Sequence, residues 1–153
     1  MKFVLATQNP KKLKEMSAIL GELGVEVVSE ADLGVKIEVE ETGETFAENS
    51  LLKAKAVMEA TKLPAIADDS GLCVDALNGG PGVYSARYAG EGHDDAANNA
   101  KLLDALKDVP GEKRTAQFRT SVALIRRGMP AVTADGSVDG VILHSPQGEN
   151  GFG

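Results

Sequence analysis

Two polar clusters, each placed at the end of an apolar run, have the residue types for chemistry. The first is Thr7-Gln8-Asn9-Pro10-Lys11-Lys12, which joins an apolar strand to a helix. Unpaired backbone N–H groups at a helix start, together with the positive end of the helix dipole, favour a phosphate. Thr7 and Asn9 add side-chain donors, and Lys11 or Lys12 adds a full positive charge. The plain alternative is an Asx-turn cap on a surface helix with solvated lysines. The segment is not a P-loop, because it lacks the glycines and the Gly-Lys-Ser/Thr ending.

The second cluster is Asp68-Asp69-Ser70-Gly71, directly after the apolar residues 65–67. Adjacent carboxylates there are costly unless something positive lies beside them. A hard cation such as Mg²⁺ meets that need, since it takes one or two carboxylates together with substrate phosphates. A pair of aspartates capping turn amides is the competing reading. Glu38, Glu40, Glu41 and Glu44 form a third, acidic stretch, most of it expected to be solvated. One of these carboxylates, at the strand end, is a candidate to join Asp69 around a metal.

Other chemistries find no support. His93 and His144 lie in unrelated polar contexts without a second ligand at metal spacing, so both are expected at the surface. Ser70 lacks the Gly-x-Ser-x-Gly elbow of a nucleophilic serine. Cys73, between Leu72 and Val74, reads as packed rather than reactive. No Gly-x-Gly-x-x-Gly follows the first strand, so a dinucleotide site is not indicated.

The elements that would position these clusters are legible from periodicity. Residues 2–6 read as a buried strand, and Leu13, Met16, Ile19 and Leu20 recur at helical spacing up to the stop signals Gly21 and Gly24. Strands are predicted over 25–28 and 35–39. Thr45 and Glu48 have capping-box spacing and open a helix to about Thr61, with Ala47, Leu51, Ala54 and Met58 on one face. Short strands follow at 65–67 and 72–74, then an irregular loop at 78–82. A helix capped by Asp94 or Asp95 reaches Leu106. Strands are predicted from Ala116 to about Leu124, at 131–134 and at 138–143. The βα alternation of the first half and the hairpin-like second half imply one mixed sheet flanked by helices, with ligands at strand carboxyl ends.

Composition narrows the partners. The 153 residues carry 16 Lys+Arg against 23 Asp+Glu, a net charge of −7, which disfavours a nucleic-acid polymer but leaves room for one small anion. Four Phe, two Tyr and no Trp disfavour stacking platforms for single strands. No apolar run approaches the roughly 20 residues that span a bilayer. The single cysteine and the lack of a secretory signal pattern point to a reducing cytoplasm.

Taken together, the segments resemble one family. They are Ala-Thr-Gln-Asn-Pro-Lys-Lys (6–12), Glu-Glu-Thr-Gly-Glu-Thr-Phe-Ala-Glu-Asn (40–49) with Lys53-Ala54, Ala-Asp-Asp-Ser-Gly-Leu-Cys-Val-Asp-Ala-Leu (67–77) and Pro-Gly-Val-Tyr-Ser-Ala-Arg-Tyr-Ala-Gly (81–90). Asn99 with Lys101-Leu102-Leu103, Arg114-Thr115-Ala116-Gln117-Phe118 and Gly-Glu-Asn-Gly-Phe-Gly (148–153) continue the series. This pattern is similar to the pyrophosphatases of non-standard purine nucleoside triphosphates, the inosine/xanthosine triphosphatase (Ham1-like) family.

The resemblance implies an elongated, two-lobed mixed α/β fold with its active site in a central cleft. It implies a homodimer that hydrolyses dITP, ITP and XTP to the monophosphate and pyrophosphate with Mg²⁺. Thr7, Gln8, Asn9, Pro10, Lys11 and Lys12 would hold the triphosphate, and Ser70, Phe152 and Gly153 would also touch substrate. Asp69 would be general base and metal ligand, with Glu40 as the other metal ligand and Glu41 as the competing assignment. Gln8 stands where many members have Gly. The family pattern continues past Gly-Phe-Gly with Tyr-Asp-Pro, a lysine and Ser-His-Arg, so residues 1–153 are expected to form a single pyrophosphatase domain without its C-terminal part. A Maf-like nucleotide pyrophosphatase of the same fold would open with Ser-x-Ser-x-x-Arg instead. A nucleotide-binding module without turnover is the alternative from a different class.

Overall fold

The structure, a computed structural model, describes residues 2–148. Strands β1 (Lys2–Leu5), β2 (Glu26–Ser29), β3 (Ala65–Val74), β4 (Gly80–Pro81), β5 (Thr115–Ile125) and β6 (Val132–Val141) share one sheet with helices α1 (Pro10–Glu22), α2 (Phe46–Thr61) and α3 (Asp95–Ala105). The strand order is β2-β1-β3-β5-β6, with β4 paired to β3. β1 runs parallel to both β2 and β3, whereas β4 is antiparallel to β3, so the sheet is mixed as expected. Side-chain bonds from Gln117 to Asp139 and from Ser121 to Asp135 step in opposite directions along β5 and β6 and mark that pair as antiparallel.

The chain divides into two compact units, residues up to Asp69 with Ser121–Asp135, and Ser70–Thr120 with residues from Gly136 on. In the first unit α1 joins two parallel strands, β1 and β2, as a crossover connection requires. Its core is Val4, Ala6, Ala54, Val57, Ala65, Ala67 and Ala123, with Leu51, Met58 and Ile125 packed against it. Small residues, Ala54 of α2 with Ala65 and Ala67 of β3, make up much of this core. In the second unit Val74, Leu102, Leu106 and Ala116 form the core, covered by Leu72, Leu77, Tyr88, Val109 and Ile142.

Arg114 fastens the second unit, and only 2% of its surface is exposed. Its guanidinium donates to three carbonyls, Leu106 O at 2.6 Å, Val109 O at 2.9 Å and Leu143 O at 3.3 Å. Leu106 caps the C-terminal end of α3, where carbonyls lack helical partners and the dipole is negative. A buried cation is thus met by backbone oxygens.

Three strand readings need correction. No strand forms over 35–39, because its backbone groups bond to side chains instead of a ladder. Ile37 N donates to Glu30 Oε1 at 3.2 Å, and Gln8 Nε2 donates to Ile37 O at 3.2 Å. The short strands at 65–67 and 72–74 are one strand, β3, running through Asp68–Gly71, and the segments 131–134 and 138–143 are largely one strand, β6. Asp68-Asp69 and Asp135-Gly136 resemble turns in composition but lie inside β3 and β6.

Candidate active site

Asn9 caps α1, accepting from Lys11 N at 3.0 Å, and Thr7 Oγ1 accepts from Asn9 N at 3.2 Å. Pro10 occupies the first helical position, as its fixed φ favours. The capped turn sends Lys12 inward, where its Nζ lies 2.9 Å from Asp68 Oδ2. Lys11 and Gln8 are exposed.

Asp68 and Asp69 are both buried on β3, at 7% and 6% exposure. Successive strand residues point to opposite faces, and the two carboxylates accordingly have different partners. Asp68 takes Lys12. Asp69 faces α2, where Asn49 Nδ2 donates to its Oδ2 at 3.1 Å and Lys53 Nζ lies 4.0 Å from its Oδ1. Lys53 is shared with Glu41, whose Oε1 is 3.5 Å away. Burial pushes the Asp69 carboxyl up to about 6; Lys53, Asn49 and Lys12 pull against that rise and Glu41 adds to it. A carboxylate tuned this way is ionised at neutral pH yet basic enough to take a proton from water.

The Thr45 capping box forms, with Glu48 N donating to Thr45 Oγ1 at 3.1 Å. The Glu48 carboxylate reaches back to Glu44 N at 2.8 Å, which fixes the acidic loop before α2. Asn49, with no exposed surface, binds the same loop: Gly43 N donates to Asn49 Oδ1 at 2.8 Å. Gly43 is required there by close approach, since a Cβ would lie 2.7 Å from Asn49 Oδ1 and 2.7 Å from Glu48 Cβ.

The structure therefore gathers Lys12, Glu41 and Asp69 from the sequence-derived set. Asp68, the other half of the carboxylate pair, joins them through Lys12, and the structure adds Asn49 and Lys53, to which the residue patterns alone assigned no role. Their signal was faint but present: Asn49 and Lys53 are four apart on α2, hence on one helix face. Glu40 is exposed beside Glu41. Ser70, next along β3, donates to Thr120 Oγ1 at 2.7 Å. Phe152 and Gly153 lie outside the described residues. His93 and His144 are exposed, as expected, and Cys73 is half-buried.

Among the described residues no group of three or more His, Cys, Asp or Glu side chains could hold a metal ion unaided. The donor set nevertheless fits a hard cation such as Mg²⁺, which binds through one or two carboxylates and completes its octahedron with water and substrate phosphate oxygens. Asp69 with Glu40 or Glu41 offers such a partial set.

A cationic turn at a helix start, joined through Lys12 to buried strand carboxylates, defines an α/β protein equipped to handle a phosphorylated small molecule. The Ham1 family model matches residues 3–153, and the chain belongs to that family. It is 54% identical over 152 residues to the dITP/XTP pyrophosphatase of Geobacter sulfurreducens, covering 99% of this chain and 76% of the relative. The Bacillus subtilis dITP/XTP pyrophosphatase is 51% identical over 150 residues, with 98% and 76% covered. The solved structure of the Staphylococcus aureus Ham1 protein superposes with a TM-score of 0.87 at 42% identity, covering 100% of this chain and 78% of that one.

Proposed function

We propose that this chain is a dITP/XTP pyrophosphatase, hydrolysing nucleoside triphosphates of non-standard purines, ITP included, to the monophosphate and pyrophosphate. The observation that carries the reading is Asp69, a buried carboxylate held between Asn49 Nδ2 at 3.1 Å and Lys53 Nζ at 4.0 Å, beside an Asp68 that meets Lys12 of the first turn of α1 at 2.9 Å. The names of relatives about half identical over nearly the whole chain support the substrate class.

In this reading Thr7, Gln8, Asn9, Pro10, Lys11 and Lys12 receive the triphosphate, with Ser70, Phe152 and Gly153 as further substrate contacts. Asp69 orients a water and accepts its proton as the oxygen attacks the α-phosphorus and the bond to the β-phosphate oxygen breaks. Pyrophosphate leaves with the bonding electron pair. Lys12 and Lys53 offset the negative charge at the site, a stabilisation that grows as water is excluded. Mg²⁺, held by Asp69 with Glu40 or Glu41, would supply charge neutralisation on the phosphate oxygens. The proposal includes a single catalytic domain, a homodimer and the cytoplasm as compartment. Among the described residues no helix is long and apolar enough to cross a membrane.

The test is pyrophosphate release from dITP, XTP, ATP and GTP in parallel, with Mg²⁺ and with chelator. Fast release from dITP and XTP alone, lost on chelation, is expected. Equal rates on ATP and GTP would refute the substrate class, and tight binding without release would make the chain a nucleotide-binding module. Comparing Glu40→Gln with Glu41→Gln for the Mg²⁺ concentration at half-maximal rate assigns the second ligand.

A further inference from the structure

Asn49 lies on α2 with no exposed surface, although its side chain is polar. A buried amide of this kind is retained only where its hydrogen bonds are satisfied. All its polar partners belong to two places. Its oxygen accepts from Gly43 N at 2.8 Å, while its nitrogen donates to Asp69 Oδ2 at 3.1 Å and, more weakly, to Gly43 O at 3.5 Å. The orientation is fixed at both ends, because Gly43 N–H needs an acceptor and an ionised carboxylate accepts only.

We propose that Asn49 is the positioning residue of this site, a clamp that holds the Asp69 carboxylate and the acidic loop of Glu40 and Glu41 at one set separation. Gly43 lies two residues beyond Glu41, so fixing its N–H and C=O fixes the loop end that presents both glutamates. Lys53, one turn further along the same helix, bridges Glu41 and Asp69 electrostatically at 3.5 Å and 4.0 Å. Its flexible stem sets no direction, whereas the planar amide does. Without the clamp Asp69 keeps its charge partner but loses the amide donor to its Oδ2, and the hydrogen-bonded link between the two acidic elements is cut. Residues that orient ligating or catalytic groups through such bonds typically carry about 10–100-fold in metal affinity or activity. The inference rests on the proposed function for its reaction and on the hydrogen bonds alone for its geometry.

The experiment combines Asn49→Ala with Asn49→Ser and three readouts. Steady-state hydrolysis of dITP is expected to show kcat lowered about 10–100-fold with KM within about threefold of the parent. Calorimetric titration of nucleotide-free protein with Mn²⁺ alone is expected to show affinity weakened about tenfold or more. In the parent protein, hydrogen exchange by NMR is expected to find the Gly43 amide and the Asn49 side-chain amide protected. A folded Asn49→Ala with parental kcat and Mn²⁺ affinity overturns the clamp, as does an Asn49 side-chain amide that exchanges at the free rate in the parent. Should Asn49→Ala fail to fold, Asn49→Ser and the parental exchange decide by the same criteria. A parent inactive on dITP, but whose Mn²⁺ binding falls in the variants, refutes the substrate reading and leaves the clamp standing.

Discussion

Replacing Asp69 by Asn tests how the site is held in readiness. The substitution keeps the shape and an oxygen that accepts from Asn49, while Lys53 retains Glu41 at 3.5 Å. What it removes is a charge the fold does not favour, since the carboxyl is raised from 3.8 to about 6. The native state therefore holds the Asp69 proton more tightly than the unfolded chain does. Stability is greatest below the unfolded value and is lost as pH rises through about 6. The rise from 3.8 to about 6 corresponds to about 3 kcal/mol, and relaxation and water penetration around the buried carboxylate reduce that to about 1–2 kcal/mol. At pH 8, without nucleotide or metal, Asp69→Asn is expected to melt about 3–6 °C above the parent. The two should converge as pH falls below about 4, where both carry a neutral side chain. Turnover of dITP should drop about 10²–10⁴-fold in the same variant. Differential scanning calorimetry across the pH range, beside the pyrophosphate assay, reads both effects. A variant no more stable than the parent at pH 8 would refute the claim that burial strains Asp69, and parental turnover would refute its role as base.

Lys12→Met removes the cation 2.9 Å from the buried Asp68 and should cost about 2 kcal/mol, between the values for exposed and fully buried pairs. Adding Asp68→Asn should recover most of that loss in urea denaturation. Gly43→Ala places a methyl 2.7 Å from Asn49 Oδ1, so about 1–3 kcal/mol of stability should disappear in thermal melts. Arg114→Lys keeps the charge but cannot reach three carbonyls in a fork, and about 2–3 kcal/mol should be lost by the same measurement.

Much of this molecule could be read before any coordinates. Local signals decided the helices: Asn9 with Pro10, Thr45 with Glu48 and Asp94 each cap one, as their side chains dictate. The strands were harder where composition and neighbours disagree. Val35, Ile37 and Val39 alternate like a strand, yet Glu30 and Gln8 take the backbone groups of Ile37, a fact set by residues distant in sequence. Asp68-Asp69 looks like a break in an apolar run, and Lys12, Asn49 and Lys53, all distant in sequence, help make its burial tolerable. The same distance effect governs the site. Asp69 and Lys12 were legible from their motifs. Asn49 was not, because a buried asparagine has meaning only once its two partners are known.

The guanidinium of Arg114 has a consequence beyond its own stability. It ties Leu106 and Val109 to Leu143, which is 29 residues away from it, in a chain with one cysteine and so no internal covalent cross-link. A disulfide would act largely by restricting the unfolded chain, and would do so whether or not the surroundings were folded. This fastening exists only in the folded state, so it leaves the unfolded ensemble unrestricted and can part and re-form locally. Nor can a reductant cut it, since its hydrogen bonds involve no sulfur. The chain leaving β6 is thus held by a latch that is reversible mechanically and indifferent to the redox state around it.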